Sequence, residues 1–134
     1  LSRALKLGDR VTFTGFVPDD DLVALYNAAV CLALPSFDEG FGLPVIEAMA
    51  CGLPVAISSS GSLPEVAREA GLQFPPSDPE AIAGALRRLL EDADLRSTLR
   101  AAGLRRAAEF SWTSAARQLL HVFEETGGGR ARAA

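Results

Sequence analysis

Val30-Cys31-Leu32-Ala33-Leu34-Pro35 leads through the glycine-bearing run Gly40-Phe41-Gly42 into Leu43-Pro44-Val45-Ile46-Glu47-Ala48-Met49-Ala50-Cys51-Gly52, and on to Pro54-Val55-Ala56-Ile57. The first five residues are a continuous apolar run ended by proline, the pattern of a strand buried on both faces. Beyond the glycines, Leu43, Ile46, Glu47 and Ala50 fall at helical spacing, and Ala48 and Met49 favour the helix. Gly52 is placed to stop it, and Pro54 to Ile57 reads as the next buried strand. Strand, loop, helix and strand in that order imply a parallel crossover, and with it an α/β fold.

Open parallel sheets hold their ligands beyond the carboxyl ends of the strands, where the loop from Glu39 to Gly42 falls. Glu39 and Glu47 bracket seven residues at that edge. Gly40 and Gly42 let a backbone come close to a ligand. A helix starting near Leu43 adds free amides and a positive dipole end, which suits a diphosphate. Glu47, about one turn into the helix, is an acceptor for a pair of sugar or ribose hydroxyls, and Glu39 is free to reach a second set. Each feature also has a plain structural use: a glutamate early in a helix complements the dipole, and Gly-Phe-Gly can be a turn. Both acids and both glycines in one register favour the functional reading. Paired carboxylates also define glycoside hydrolases, where one acid needs a raised pKa from an apolar pocket. Nothing in the sequence separates the two environments in that way, so hydrolysis ranks below group transfer.

The chain has 134 residues, of which 49% are hydrophobic, as expected of one folded domain rather than a disordered segment. A net charge of −4 argues against nucleic acid as a partner. The basic residues are arginines apart from Lys6. Cys31 and Cys51 read as small apolar residues in a reducing compartment, without CxxC or metal-ligand spacing, so no metal is expected. No run has the length of a membrane span, and Leu1 does not open a signal peptide, which sets a cytoplasmic expectation.

Outward from the centre, Leu1 to Leu7 reads as the tail of a helix, and Val11-Thr12-Phe13-Thr14 alternates as a strand. Asp19-Asp20-Asp21 can cap a helix carrying Leu22, Leu25, Tyr26 and Ala29. A polar loop, Ser58-Ser59-Ser60-Gly61, lies at the same edge as Glu39, and Ser62-Leu63-Pro64-Glu65 fits a capping box. Leu72-Gln73-Phe74 is a short strand, and Asp78-Pro79 is a helix start for a segment with Ile82, Leu86, Leu89 and Leu90 facing inward. Leu95, Leu99 and Ala102 mark another helix. The last begins at Ser111 and aligns Trp112, Ala116, Leu119 and Phe123, with His121 on the opposite, exposed face. Residues 1–126 form the expected domain, and residues 127–134 an expected disordered tail.

The segment from Pro35 to Val55 resembles the sugar-nucleotide site of the GT-B glycosyltransferases, most of all the large retaining family called group 1 or GT4. Val11 to Gly15, Leu25 to Ala29, Ser62 to Val66, Asp78-Pro79 and Phe110-Ser111-Trp112 are similar to that family in the same order. The resemblance implies a Rossmann-like parallel sheet with flanking helices, the incomplete C-terminal half of a GT-B enzyme with a helical C-terminal end. It implies transfer of a hexose from a UDP- or GDP-sugar with retention, and neither a cofactor nor a metal. Glu47 would bind the ribose, Glu39 would act on the transferred sugar as the catalytic residue, and Gly40 with the amides of Phe41, Gly42 and Leu43 would hold sugar and diphosphate oxygens. The family's Gly-Arg strand and downstream Lys, which clamp the diphosphate, have no match here. Nor has the N-terminal GT-B domain that carries acceptor recognition and any contact with the inner face of a membrane. In the strand order 3-2-1-4-5-6, Val11 to Thr14 would be strand three and Val30 to Leu34 strand four, with two strands absent between them. The isolated chain is therefore expected to be inactive and marginally stable. A donor-binding fragment without chemistry, or a nucleotide-sugar epimerase of the same architecture, are the alternatives.

Overall fold

The structure is a computed structural model that describes residues 4–127. Three strands, β1 (Leu32–Leu34), β2 (Val55–Ser58) and β3 (Gly71–Phe74), form a parallel sheet in the order β1-β2-β3. Leu32 lies opposite Val55, and Ala56 lies opposite Leu72. Around them stand α1 (Asp19–Ala28), α2 (Leu43–Ala50), α3 (Leu63–Ala67), α4 (Pro79–Glu91), α5 (Ala93–Ala108) and α6 (Trp112–Gly127). The parallel α/β architecture implied by the crossover pattern is therefore present, with its last three strands in the expected order.

All four residues of β2 are buried, because it is paired on both sides and covered on both faces. Successive side chains of a strand point to opposite faces. Val55 and Ile57 accordingly pack with Val45, Met49 and Leu63 from α2 and α3, while Ala56 packs with Phe74, Ala85, Leu89 and Leu99 across the sheet. Helix α5 starts near α4 and ends against α2. Gly103 makes that approach possible, since a Cβ there would stand 3.2 Å from Met49 Cγ.

Local chemistry sets most of the boundaries. Gly52, at φ +70°, ends α2 in the left-handed conformation, and Gly52 N and Leu53 N donate to the carbonyls of Met49 and Ala48. Asp78 Oδ1 accepts from the amides of Glu80 and Ala81, with Pro79 in the first turn of α4. Asp92 caps α5 in the same way through Leu95 N, and Ser111 caps α6 through Ser114 N.

Several expectations need correction. Val11 to Thr14 forms no strand: it pairs with nothing among the described residues, and Phe13 and Phe16 are 82% and 91% exposed. An extended segment gains its hydrogen bonds only from a neighbour, so alternation alone did not suffice. β1 is shorter than Val30 to Leu34 and only half-buried, with Ala33 exposed, because β2 is its one partner among the described residues. At α1 the cap position falls to Pro18 without a side-chain cap, leaving Asp19, Asp20 and Asp21 in the first turn beside the dipole. Leu90 is exposed while Ala85 and Leu89 fill the inward face of α4. Ser62 and Glu65 form no capping box, for a reason given below. Residues 1–3 of the expected first helix and residues 128–134 of the expected tail lie outside the described residues; Ala4 to Lys6 is a turn, and α6 runs through Gly127.

Candidate functional site

Loops 35–42 and 59–62 leave the carboxyl ends of β1 and β2 side by side. Ser36 Oγ donates to the Asp38 carbonyl at 2.9 Å and shapes the first loop. The second is tied to the sheet, since Ser59 N donates to the Phe74 carbonyl at 2.8 Å and Ser60 N to the buried Ser58 Oγ at 3.0 Å. The loops are then joined to each other. Ser62 Oγ donates to the Glu39 carbonyl at 2.8 Å, and Ser62 N reaches the same oxygen at 3.4 Å. That use of the hydroxyl is why the capping box fails: the side chain that would cap α3 is committed to Glu39 instead. Gly61 has φ +62°, and a Cβ there would lie 3.0 Å from Glu39 N and 3.1 Å from Glu39 O. Glu39 is thus held by its backbone, half-buried, with its carboxylate left for other work.

At the other end of the loop, Gly42 takes φ +91° at the N-cap of α2. It is buried under Leu63, whose Cδ2 would stand 2.5 Å from an added Cβ. Pro44 has no N–H, and Val45 N donates to the Gly42 carbonyl at 2.9 Å. The amides of Phe41, Gly42 and Leu43 are therefore the ones this helix start has to offer an anion.

Helix α2 is apolar on both sides. Val45, Ala48 and Met49 enter the core. Leu43, Ile46 and Glu47, the stripe picked out in the sequence, face a cleft of about 280 Å³ whose other walls are Phe41, Phe110, Ser111, Trp112 and Ala115. Glu47 is exposed there, and its Oε2 accepts the Tyr26 hydroxyl at 3.2 Å. Burial of the phenol, then the Glu47 charge and hydrogen bond, push the Tyr26 pKa up to about 12. Oε1 of Glu47 has no protein donor among the described residues, so half of the carboxylate stays open for a hydroxyl group.

The cleft's far wall is braced from behind. Phe41 meets Phe110 edge to face, with ring centroids 6.0 Å apart at 82°. Arg106 lies over Phe110, its Cζ 4.5 Å from the centroid. The same guanidinium donates through Nε to the Val66 carbonyl at 2.8 Å and through Nη2 to the Glu65 carbonyl at 3.0 Å, and pairs with Glu109. One arginine thereby joins α5, the end of α3 and the aromatic wall.

Of the residues singled out in the sequence, Phe41, Leu43 and Glu47 share this cleft. Glu39 and Gly40 stand on the adjoining loop and do not line it, and Gly42 is buried beneath the helix start. Tyr26, Ser62, Arg106 and Phe110 carry contacts to the site that were not foreseen. The serine loop had been placed at the right edge, but no local pattern pairs Ser62 with Glu39 or Arg106 with the end of α3. Among the described residues no group of three or more histidine, cysteine or acidic side chains could hold a metal ion, and no helix is long and apolar enough to cross a membrane.

A sequence profile of the family described as glycosyl transferases group 1 matches residues 1–106. The chain belongs to that family. It is 44% identical over 114 residues to the O-antigen chain mannosyltransferase B of Escherichia coli, covering 85% of this chain and 30% of that protein. It is 42% identical over 127 residues to the D-inositol 3-phosphate glycosyltransferase of Salinispora tropica, covering 93% and 26%. Among solved structures, sucrose-phosphate synthase of Thermosynechococcus elongatus superposes with a TM-score of 0.87 at 38% identity, over 96% of this chain and 33% of that one. HepE of Anabaena, solved in complex with UDP-glucose, superposes with a TM-score of 0.85 at 26% identity, over 92% and 35%. This group 1 chain thus spans about a third or less of the length of these relatives, and its α/β fold is that of the GT-B C-terminal half.

Proposed function

We propose that this chain supplies part of the donor site of a hexosyltransferase that moves a sugar from a UDP- or GDP-sugar to an acceptor hydroxyl with retention of configuration. The observation that carries the proposal is the state of Glu47: Tyr26 occupies one carboxylate oxygen and fixes the side chain, while the other stays open in a cleft beside the α2 start. A fixed acceptor next to free amides suits a ligand that joins hydroxyls to a diphosphate. The UDP-glucose complex of HepE supports the same ligand class.

In this reading Glu47 binds the ribose hydroxyls and Glu39 contacts the transferred sugar as the catalytic residue. Gly40 and the amides of Phe41, Gly42 and Leu43 hold sugar and diphosphate oxygens. The bond from the anomeric carbon to the diphosphate oxygen breaks, and the bond to the acceptor oxygen forms on the same face. The acceptor's proton leaves with the nucleoside diphosphate, which is the departing group. What the site contributes is stabilisation of charge on that diphosphate and on the oxocarbenium-like sugar; Glu39 is not assigned as a nucleophile. The reading includes no resident cofactor or metal. It places acceptor recognition in an N-terminal GT-B domain, and the reaction in the cytoplasm at the inner face of a membrane, in cell-envelope or polysaccharide synthesis. By itself the chain would bind donor without turning it over.

Calorimetric titration of the chain with UDP-glucose, UDP-N-acetylglucosamine and GDP-mannose, with and without EDTA, tests this. Saturable binding to one of them, unchanged by EDTA and weakened about tenfold or more by Glu47→Gln, is expected. Binding that survives both Glu47→Gln and Glu39→Gln would overturn the site assignment. Sugar transfer by the chain alone would overturn the division of labour.

A further inference from the structure

At the opposite end of the sheet, by the amino ends of β1 and β2, lies a cleft of about 420 Å³ between the ends of α1 and α2 and one face of α5. Arg96, Ser97 and Arg100 line it from α5, and no acidic side chain lines it, although the chain carries a net charge of −4. Like charges four residues apart on a helix repel each other. Neither arginine has a carboxylate within 4.0 Å among the described residues to offset that repulsion.

Both guanidinium groups are nevertheless held in place. Arg96 Nη1 donates to the Leu89 and Leu90 carbonyls at 2.8 and 3.0 Å, and Arg100 Nη1 donates to the Gly52 carbonyl at 3.2 Å. Gly52 is the close approach that allows the second: a Cβ there would stand 2.9 Å from Arg100 Cζ. Capping the ends of α4 and α2 in this way uses only Nη1 of each fork. Nε and Nη2 of both arginines, and the Ser97 hydroxyl in the same cleft, have no protein acceptor among the described residues. Prepositioned guanidinium forks with a hydroxyl in the same cleft suit the oxygens of a phosphate group.

We propose that this cleft is a second anion site, taking a phosphate group as the free ion or as a phosphomonoester, separate from the cleft at the α2 start. Tyr26 links the two regions: it lines this cleft, and its hydroxyl donates to Glu47, which lines the other.

The test is chemical-shift mapping of the isotope-labelled chain at constant ionic strength, titrated with inorganic phosphate against chloride, and separately with glucose 6-phosphate. Phosphate is expected to shift the amides of 93–100 and 51–53 saturably, with a Kd of about 1 mM or tighter. Tighter binding of glucose 6-phosphate would mark a phosphomonoester site, and equal binding a site for the phosphate group alone; either supports the proposal. Arg100→Gln should weaken the shifts about tenfold. Ser97→Glu, which places a carboxylate in the cleft while keeping both arginines, should abolish them. Shifts confined to 41–43, shifts that chloride reproduces, or shifts that persist in Ser97→Glu would each overturn it.

Discussion

The Ser62 hydroxyl donates to the Glu39 carbonyl at 2.8 Å and so fastens the loop after β1 to the loop after β2. Two acids eight positions apart in the chain are thereby anchored differently. Glu39 is fixed through its backbone, while Glu47 is fixed through its carboxylate by Tyr26.

Ser62→Ala removes one partly buried hydrogen bond and leaves the Glu39 carbonyl with the weaker contact from Ser62 N. A loss of about 1 kcal/mol in denaturant unfolding is expected, together with weaker donor binding. Unchanged donor affinity would detach Glu39 from the site.

Tyr26 is the only tyrosine, so the ultraviolet absorbance of its phenolate reports on it alone. Burial first, and then the charge and hydrogen bond of Glu47, push its pKa up to about 12 from the ordinary value of 10.0. The folded state then holds the phenolic proton more tightly than the unfolded chain does. The stability this contributes is complete below pH ~10 and is lost as pH rises through ~12. Denaturation midpoints measured across that interval should fall, and Tyr26→Phe should flatten the fall. Because desolvation is the larger cause, Glu47→Gln should bring the pKa only part of the way back.

Gly42→Ala asks an L-residue to hold φ +91° and drives a methyl group toward Leu63, which is fully buried. About 1–3 kcal/mol of destabilisation is expected. Gly40 has nothing within 4 Å of an added Cβ and no positive φ, so Gly40→Ala should leave stability nearly unchanged. The pair separates the structural glycine from the exposed one.

Arg106→Ala strips the carbonyls of Glu65 and Val66 of their donor and uncovers Phe110. About 2–4 kcal/mol is expected, most of it from unsatisfied carbonyls. Arg106→Lys should recover little of this, because an ammonium cannot span two carbonyls and a ring as a planar fork does. A lysine variant as stable as the original would show that charge alone holds this corner together.

Burial pushes the Cys31 thiol pKa up, and the nearby Arg96 charge offsets part of the rise. Alkylation of Cys31 should therefore be slow at neutral pH and accelerate only above the ordinary thiol range. Arg96→Gln should slow it further, as peptide mapping of the labelled chain would show.

Features specified by neighbours in the chain were legible in the sequence. Asp78-Pro79 and Gly52 mark element ends because capping and positive φ are properties of one or two residues. Val55 to Ile57 read as a buried strand because its composition leaves it no other place. The pattern failed where the deciding partner is distant. Val11 to Thr14 alternates correctly, yet a strand exists only beside another strand. Helix α2 is apolar nearly all round, so spacing could not say which stripe faces the core, and Val45, Ala48 and Met49 took that role. The loop of Glu39 and the helix of Glu47 were legible as one edge of the sheet. Their tethers to Ser62 and Tyr26 were not, since each joins residues more than twenty positions apart that no local rule couples.

The two apolar sides of α2 answer to different demands. Changes at Val45, Ala48 or Met49 are felt by the whole fold, whereas Leu43 is exposed, stands outside the core cluster and lines a surface cleft. One helix can therefore keep its inward side under the discipline of folding while its outward side drifts. Under the proposed donor-site reading, substitutions at Leu43 could change the ligand that the cleft accepts while leaving folding nearly untouched.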